Sequence, residues 1–152
     1  MANTVYHSFA LGLEQIRTTL STVPEELADV PWRPGGWTRR QILGHMLDSA
    51  ANNHQRFVRA SLDGAYSGPT YDQQAWVDAH GYAEQSWSTL LAWWGTLHQI
   101  LDAVVERIPE ERLGTVCFVE GDPPTTLRFR IEDYIVHQQH HLRQLTAAVP
   151  AP

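Results

Sequence analysis

Four separate stretches of the chain repeat apolar residues at steps of three and four, and this repetition limits the possible folds more than any other feature. At about 100° of turn per residue, such steps line side chains along one stripe of a helix, and that stripe must be buried. The first stretch, residues 5 to 22, carries Phe9, Leu13, Ile16 and Leu20 and is stopped by Val23-Pro24, since proline disfavours helix in the residue before it. The second opens with Thr38 as N-cap, Gln41 as its capping-box partner and Trp37 stapled against Ile42. It runs through Ile42, Met46, Ala50, Asn53, Phe57 and Ala60 to Asp63-Gly64. The third, residues 83 to 107, carries Trp87, Leu90, Leu91, Trp94, Leu97, Leu101, Val104 and Val105 and ends at Ile108-Pro109. The fourth is capped by Thr125 or Thr126, runs to about Ala147, and lines up Ile131, Ile135, Gln138, Leu142 and Leu145.

Four amphipathic helices in 152 residues, the size of one ordinary domain, predict an all-α four-helix bundle spanning residues 1–152 as a single domain. Residues 61 to 81, with Gly64, Gly68, Pro69 and Gly81, read as a loop with a short helical turn around Tyr71 to Val77. That link exceeds the roughly 2 to 8 residues that join antiparallel neighbours, so a long crossover between the second and third helices is expected. Thr115-Val116-Cys117-Phe118-Val119 is β-prone, and with Gly121-Asp122-Pro123-Pro124 after it a small hairpin is possible there.

Composition removes several chemistries. All 11 basic residues are arginine, which excludes Schiff-base lysines and phosphate loops that need lysine. The net charge of −6 argues against a nucleic-acid partner, which calls for a concentrated positive surface. Cys117 is the only cysteine, so an internal disulfide, a multi-cysteine metal site and c-type haem are all ruled out. No apolar run reaches the roughly 18 residues of a membrane span, and the N-terminus lacks a signal-peptide pattern; no membrane partner and a cytoplasmic location are expected.

The histidines supply the candidate chemistry. On the fourth helix His137 and His141 stand one turn apart on the flank of the buried stripe, where two imidazoles can converge on one ion. His45 occupies the same kind of flank on the second helix, together with Ser49, Asn52 and Arg56. Any one of these histidines taken alone is more simply a hydrogen-bonded structural residue. The pair with a similarly placed third favours a three-imidazole site for zinc, nickel, iron or cobalt. A protease HExxH motif would need glutamate where Gln138 stands, and the Glu-x-x-His pairs of di-iron bundles are missing. A b-type haem between His45 and the last helix stays open.

Asp48, three residues after His45, and Gln144, three after His141, are the local candidates to orient the ligand rings from behind. Tyr134, one turn before His137, is a candidate proton donor, with simple packing as its alternative. His54 is expected in the interior or at a subunit interface, and His7, His80, His98 and His140 facing solvent or in loops. Trp87, Trp93 and Trp94 read as core. Cys117 has no neighbour in sequence that would lower its pKa. Arg56 and Arg59 could hold an anionic group at the mouth of the site, Arg59 reading more simply as a solvated face.

The segment Gly36-Trp37-Thr38-Arg39-Arg40-Gln41-Ile42-Leu43-Gly44-His45-Met46-Leu47-Asp48, with Tyr134-Ile135-Val136-His137-Gln138-Gln139-His140-His141-Leu142-Arg143-Gln144, resembles the DinB/YfiT-like superfamily over nearly the whole chain. The resemblance implies an up-down-down-up four-helix bundle, a homodimer, and a divalent metal on His45, His137 and His141. It further implies a small-molecule substrate and a metal-dependent enzyme, either an S-transferase using a low-molecular-weight thiol or a hydrolase. A non-catalytic bundle that binds metal or a small ligand is the reading from another class. Without a carboxylate well placed in sequence as general base, the thiol version is slightly favoured.

Overall fold

The computed structural model describes residues 1–149 and 151. Its long helices follow the apolar repeats: α1 is Tyr6–Leu20, α2 Arg39–Asp63, α4 Trp87–Arg107 and α5 Leu127–Leu145, with a shorter α3 at Gln73–His80 in the link between α2 and α4. Thr38 and Gln41 form the reciprocal capping box at the start of α2: the Thr38 side chain accepts from the Gln41 N–H at 3.2 Å, and Gln41 Oε1 accepts from the Thr38 N–H at 3.0 Å. Gly64 closes the same helix in the left-handed region at φ 75°, which a side chain would resist. Ser86 and Thr126 cap α4 and α5 in the usual way, by accepting from Thr89 and Phe129 N–H groups.

α2 packs on both α5 and α4, and α1 packs on the same two, so the four long helices close a bundle in which the broadest contact is between α2 and α5. One core cluster gathers Ile16, Ile42, Leu43, Met46, Leu47, Leu90 and Trp94; the other gathers Phe9, Leu13, Phe57, Leu101 and Ile131. Among the described residues no helix is long and apolar enough to cross a membrane.

The all-α expectation needs correction at the links. β1 (Ala65–Gly68) pairs in parallel with β2 (Val116–Val119), Ala65 opposite Val116 and Gly68 opposite Val119. β2 pairs antiparallel with β3 (Thr125–Thr126), Val116 opposite Thr126. A two-stranded hairpin is marginal by itself; here the link after α2 supplies a third strand, and Cys117 and Val119 turn inward as Val116 and Phe118 stay exposed.

Two polar side chains tie the helices together at full burial. Arg39, 0% exposed, donates from Nε to the carbonyl of Leu145 at 3.0 Å and from Nη2 to that of Ala147 at 2.7 Å, closing the end of α5 against the start of α2. Gln138 donates to the Met46 carbonyl at 3.1 Å and accepts from Trp94 Nε1 at 3.2 Å, which joins α5 to α2 and α4. The position that sequence reads as a missing glutamate is therefore a three-helix junction.

Candidate metal centre

The contact between α2 and α5 brings His45, His137 and His141 together. One nitrogen from each lies within 4.8 Å of the others. Ring centroids are 5.3 Å apart for His45 and His137, 4.5 Å for His45 and His141, and 4.6 Å for His137 and His141. The two Nε2 atoms of the α5 pair face each other at 3.1 Å. His45 is wholly buried under the Trp37 ring, 5.0 Å away, and neither of its ring nitrogens has a hydrogen-bond partner. Such an unpaired buried imidazole is costly unless something takes its lone pair.

The electrostatics agree with three neutral rings. Burial, then the neighbouring imidazoles, lowers His45 from 6.5 to about 3, and burial followed by His141 and His140 lowers His137 to about 4. His141 is also lowered by burial, against the opposing pull of its bond to Gln144. Neutral imidazoles with available lone pairs are what a cation needs from this donor set.

Tautomers follow from the partners. Gln144 Oε1 can only accept, so at 2.7 Å it fixes the hydrogen of His141 on Nδ1 and leaves the lone pair on Nε2, inside the cluster. His137 Nδ1 lies 3.2 Å from Ser49 Oγ, a hydroxyl able to donate or accept. Ser49 stands one turn after His45 on the same flank; that spacing was the only sequence signal for it, and its contact with His137 spans two helices. Asp48 is not behind His45: its Oδ1 accepts from Tyr82 Oη at 2.7 Å and lies 3.3 Å from His80 Nδ1. Gly44 permits this contact, because a side chain there would run into the Tyr82 ring, whose hydroxyl bonds Asp48.

Other expected positions resolve differently. His98 is wholly buried, not solvent-facing. Its Nδ1 lies 2.7 Å from the Trp94 carbonyl and must carry hydrogen, so Nε2 accepts from Tyr134 Oη at 2.6 Å. The single hydroxyl proton of Tyr134 is thus committed to His98, which leaves Tyr134 a packing role and no proton to offer the histidines. Trp87 and Trp94 are core, whereas Trp93 is 40% exposed. His7 and His140 face solvent, and His54 is half-buried. Cys117 is buried, and that burial raises its pKa, so it is no nucleophile.

A cavity of about 230 Å³ reaches the cluster from the His137 side, with Ser49, Arg56, Tyr71, Arg130 and Tyr134 also on its wall. Arg56 therefore reaches the approach to the site. Arg130, for which the sequence offered no signal, does so too.

A helical bundle with three convergent imidazoles, His45 wholly buried and His137 half-buried, and a cavity leading to them defines a candidate metalloprotein. The sequence profile of the DinB superfamily matches residues 9–145, and the chain belongs to that superfamily. It is 26% identical over 138 residues to the "Putative metal-dependent hydrolase YfiT" of Bacillus subtilis, covering 87% of this chain and 75% of that protein. A Bacillus licheniformis protein with the same description, "Putative metal-dependent hydrolase", is 27% identical over 133 residues, covering 87% and 76%. The solved structure of Bacillus subtilis YfiT, described as a "probable metal-dependent hydrolase with an unusual four-helix bundle topology", superimposes with a TM-score of 0.85 at 23% identity, over 96% of this chain and 86% of that one. A mycothiol-dependent maleylpyruvate isomerase shares the fold with a TM-score of 0.77 at 15% identity, over 95% of this chain and 62% of that one.

Proposed function

We propose that this chain is a metal-dependent enzyme that holds one divalent ion, zinc or nickel, on His45, His137 and His141 and uses it to transfer a low-molecular-weight thiol to an electrophilic small molecule. The observation that carries the reading is His45, buried with both nitrogens unpartnered against two imidazoles that face each other. Three neutral nitrogens suit zinc and nickel. A divalent cation bound there lowers the pKa of a thiol or water that reaches it, so that a nucleophile exists near neutral pH.

The chain's own residues supply the rest. Gln144 holds the His141 ring with its lone pair inward, Ser49 steadies His137, and Trp37 covers His45. The cavity on the His137 side admits the reactants. Thiol transfer is favoured over hydrolysis because, among the described residues, the cluster contains no carboxylate to act as general base; Asp48, whose Oδ1 is held by Tyr82 and His80 and whose Oδ2 is buried without a partner, lies outside it. The hydrolase names of the relatives support hydrolysis as a second reading.

Elemental analysis of the purified protein should find about one divalent ion per chain, lost in His45→Ala and His137→Ala. Undiminished metal in both variants sinks the site. With bacillithiol, mycothiol or glutathione, consumption of a test electrophile such as chlorodinitrobenzene should depend on the thiol and stop with chelator. Chelator-sensitive ester hydrolysis that needs no thiol would establish the second reading instead.

A further inference from the structure

The cavity beside His137 contains two arginines whose burial nothing in the bundle accounts for. Arg56 and Arg130 are each only 8% exposed. Among the described residues no carboxylate pairs with Arg56, and its hydrogen bond to the Pro69 carbonyl is long, at 3.4 Å. Arg130 donates from Nη1 to Asp122 Oδ2 at 2.9 Å, yet its Nε and Nη2 are both out of water and without a partner. Nε–H and Nη2–H lie along the same edge of a guanidinium, the edge that grips a carboxylate with two parallel bonds. That edge is covered as the side chain stands, so a carboxylate in the cavity meets it once the Arg130 side chain turns toward the ligand.

Charge within the cavity is also divided by depth. The arginines are buried, whereas the two acids on its wall, Asp122 and Asp133, are exposed, Asp122 at 51%. Asp122 is already matched by Arg130 and Asp133 is exposed, so Arg56 is the buried cation on this wall without a carboxylate partner among the described residues. Tyr71 and Asn53 add neutral polar groups alongside. One unpaired buried cation beside a two-pronged edge suits a singly charged planar anion; the exposed acids work against a phosphate dianion.

We infer that Arg56 and Arg130 form a carboxylate-binding site, and that the small molecule converted at the histidines carries a carboxylate seated on these two residues. The conversion rests on the metal-dependent reading above; the binding does not. The site assigns a substrate class, carboxylate-bearing small molecules, and gives its orientation: the acid end toward the arginines and the reacting end toward His137.

Calorimetric titration tests it, with butyrate, its uncharged counterpart butyramide, and inorganic phosphate as probes, on the protein as purified and after chelation. Butyrate should bind in both states, and butyramide and phosphate about tenfold more weakly or worse. Arg56→Gln should weaken butyrate by about tenfold in both states with metal content unchanged. Arg130→Lys, which keeps the charge but loses the two-pronged edge, should weaken it similarly. Butyramide or phosphate binding as well as butyrate overturns the proposal and needs no variant to show it. So does butyrate binding that vanishes on chelation but survives in folded Arg56→Gln, since the carboxylate then sits on the metal. Purified protein devoid of metal that still binds butyrate through the arginines would count against the metal reading alone.

Discussion

Nδ1 of His141 donates to Oε1 of Gln144 across 2.7 Å, one turn along the same helix, and this bond turns the other nitrogen of the ring toward His137 and His45. Removing the acceptor frees the ring to rotate and the tautomer to change. Gln144→Ala is therefore expected to weaken metal binding by about tenfold or more, while Gln144→Glu, which keeps an acceptor and makes it stronger, should bind at least as tightly as the native chain. Competition against a chromophoric chelator measures both. Native affinity in Gln144→Ala would remove Gln144 from the site.

At Gln138 the amide must both donate and accept, to the Met46 carbonyl and from Trp94. Gln138→Glu recreates the His-Glu spacing of a protease motif on paper, but it deletes the donor and places a carboxylate where the native side chain is 0% exposed. The expected result is a loss of about 2 to 4 kcal/mol near neutral pH without any gain of peptidase activity. The loss should shrink on acidification, because a protonated acid can donate again. Urea unfolding at two pH values checks it, and an unchanged midpoint would mean the junction contributes little.

Much of this bundle could be read from spacing, and the misreadings share a cause. Thr38, Gln41, Thr126 and the three- and four-residue apolar steps are local signals, and they marked the long helices nearly to their ends. The histidine trio was legible for the same reason: one turn separates His137 from His141, and His45 has an equivalent flank. His98 also lies on its helix's buried stripe, one turn after Trp94, but its polarity concealed it; burial is tolerated because Tyr134, on another helix, satisfies the second nitrogen. Asp48 has suitable spacing behind His45, yet Tyr82 takes it through an approach that only Gly44 permits. The β2–β3 hairpin is legible in the β-prone run from Thr115 to Val119, whereas its parallel pairing with β1 and the Arg130 wall depend on links that meet only after the helices pack. Contacts of that kind leave no periodic trace.

Arg39 illustrates how one such contact can stabilise the whole bundle. Besides the carbonyls of Leu145 and Ala147, its Nη1 donates to those of Val30 at 3.0 Å and Pro31 at 3.3 Å, so a single buried guanidinium serves the connector before α2 and the end of α5. Arg39→Met keeps much of the bulk and strands those acceptors. A loss of about 2 to 4 kcal/mol is expected. Arg39→Lys should recover only part of it, since a single ammonium cannot span both segments. Denaturant midpoints measure this, and a lysine variant as stable as the native chain would show that charge alone suffices.

His98 should give the apo-protein a distinct acid sensitivity. Its Nδ1–H is held by the Trp94 carbonyl and its Nε2 accepts from Tyr134, so the neutral ring is satisfied and a second ring proton would compete with the tyrosine's own. Burial lowers its pKa from 6.5 to about 4. Between those values the unfolded chain binds a proton that the folded chain refuses, so stability falls as pH drops through the window and levels off below about 4, where both states are protonated. Over the full window the contribution is about 3 kcal/mol. His45 and His137 titrate low for their own reasons and add their own slopes, which a His98→Gln variant would retain. In chelator-treated protein, His98→Gln is therefore expected to be less stable than the native chain at neutral pH, yet to lose stability less steeply on acidification, by close to one proton in the dependence of unfolding free energy on pH. Urea unfolding of both proteins between pH about 7 and about 5 gives the two slopes. Parallel slopes would show that His98 takes up its proton in the folded state as readily as in the unfolded one, and the buried bond to Tyr134 would then not hold the ring neutral.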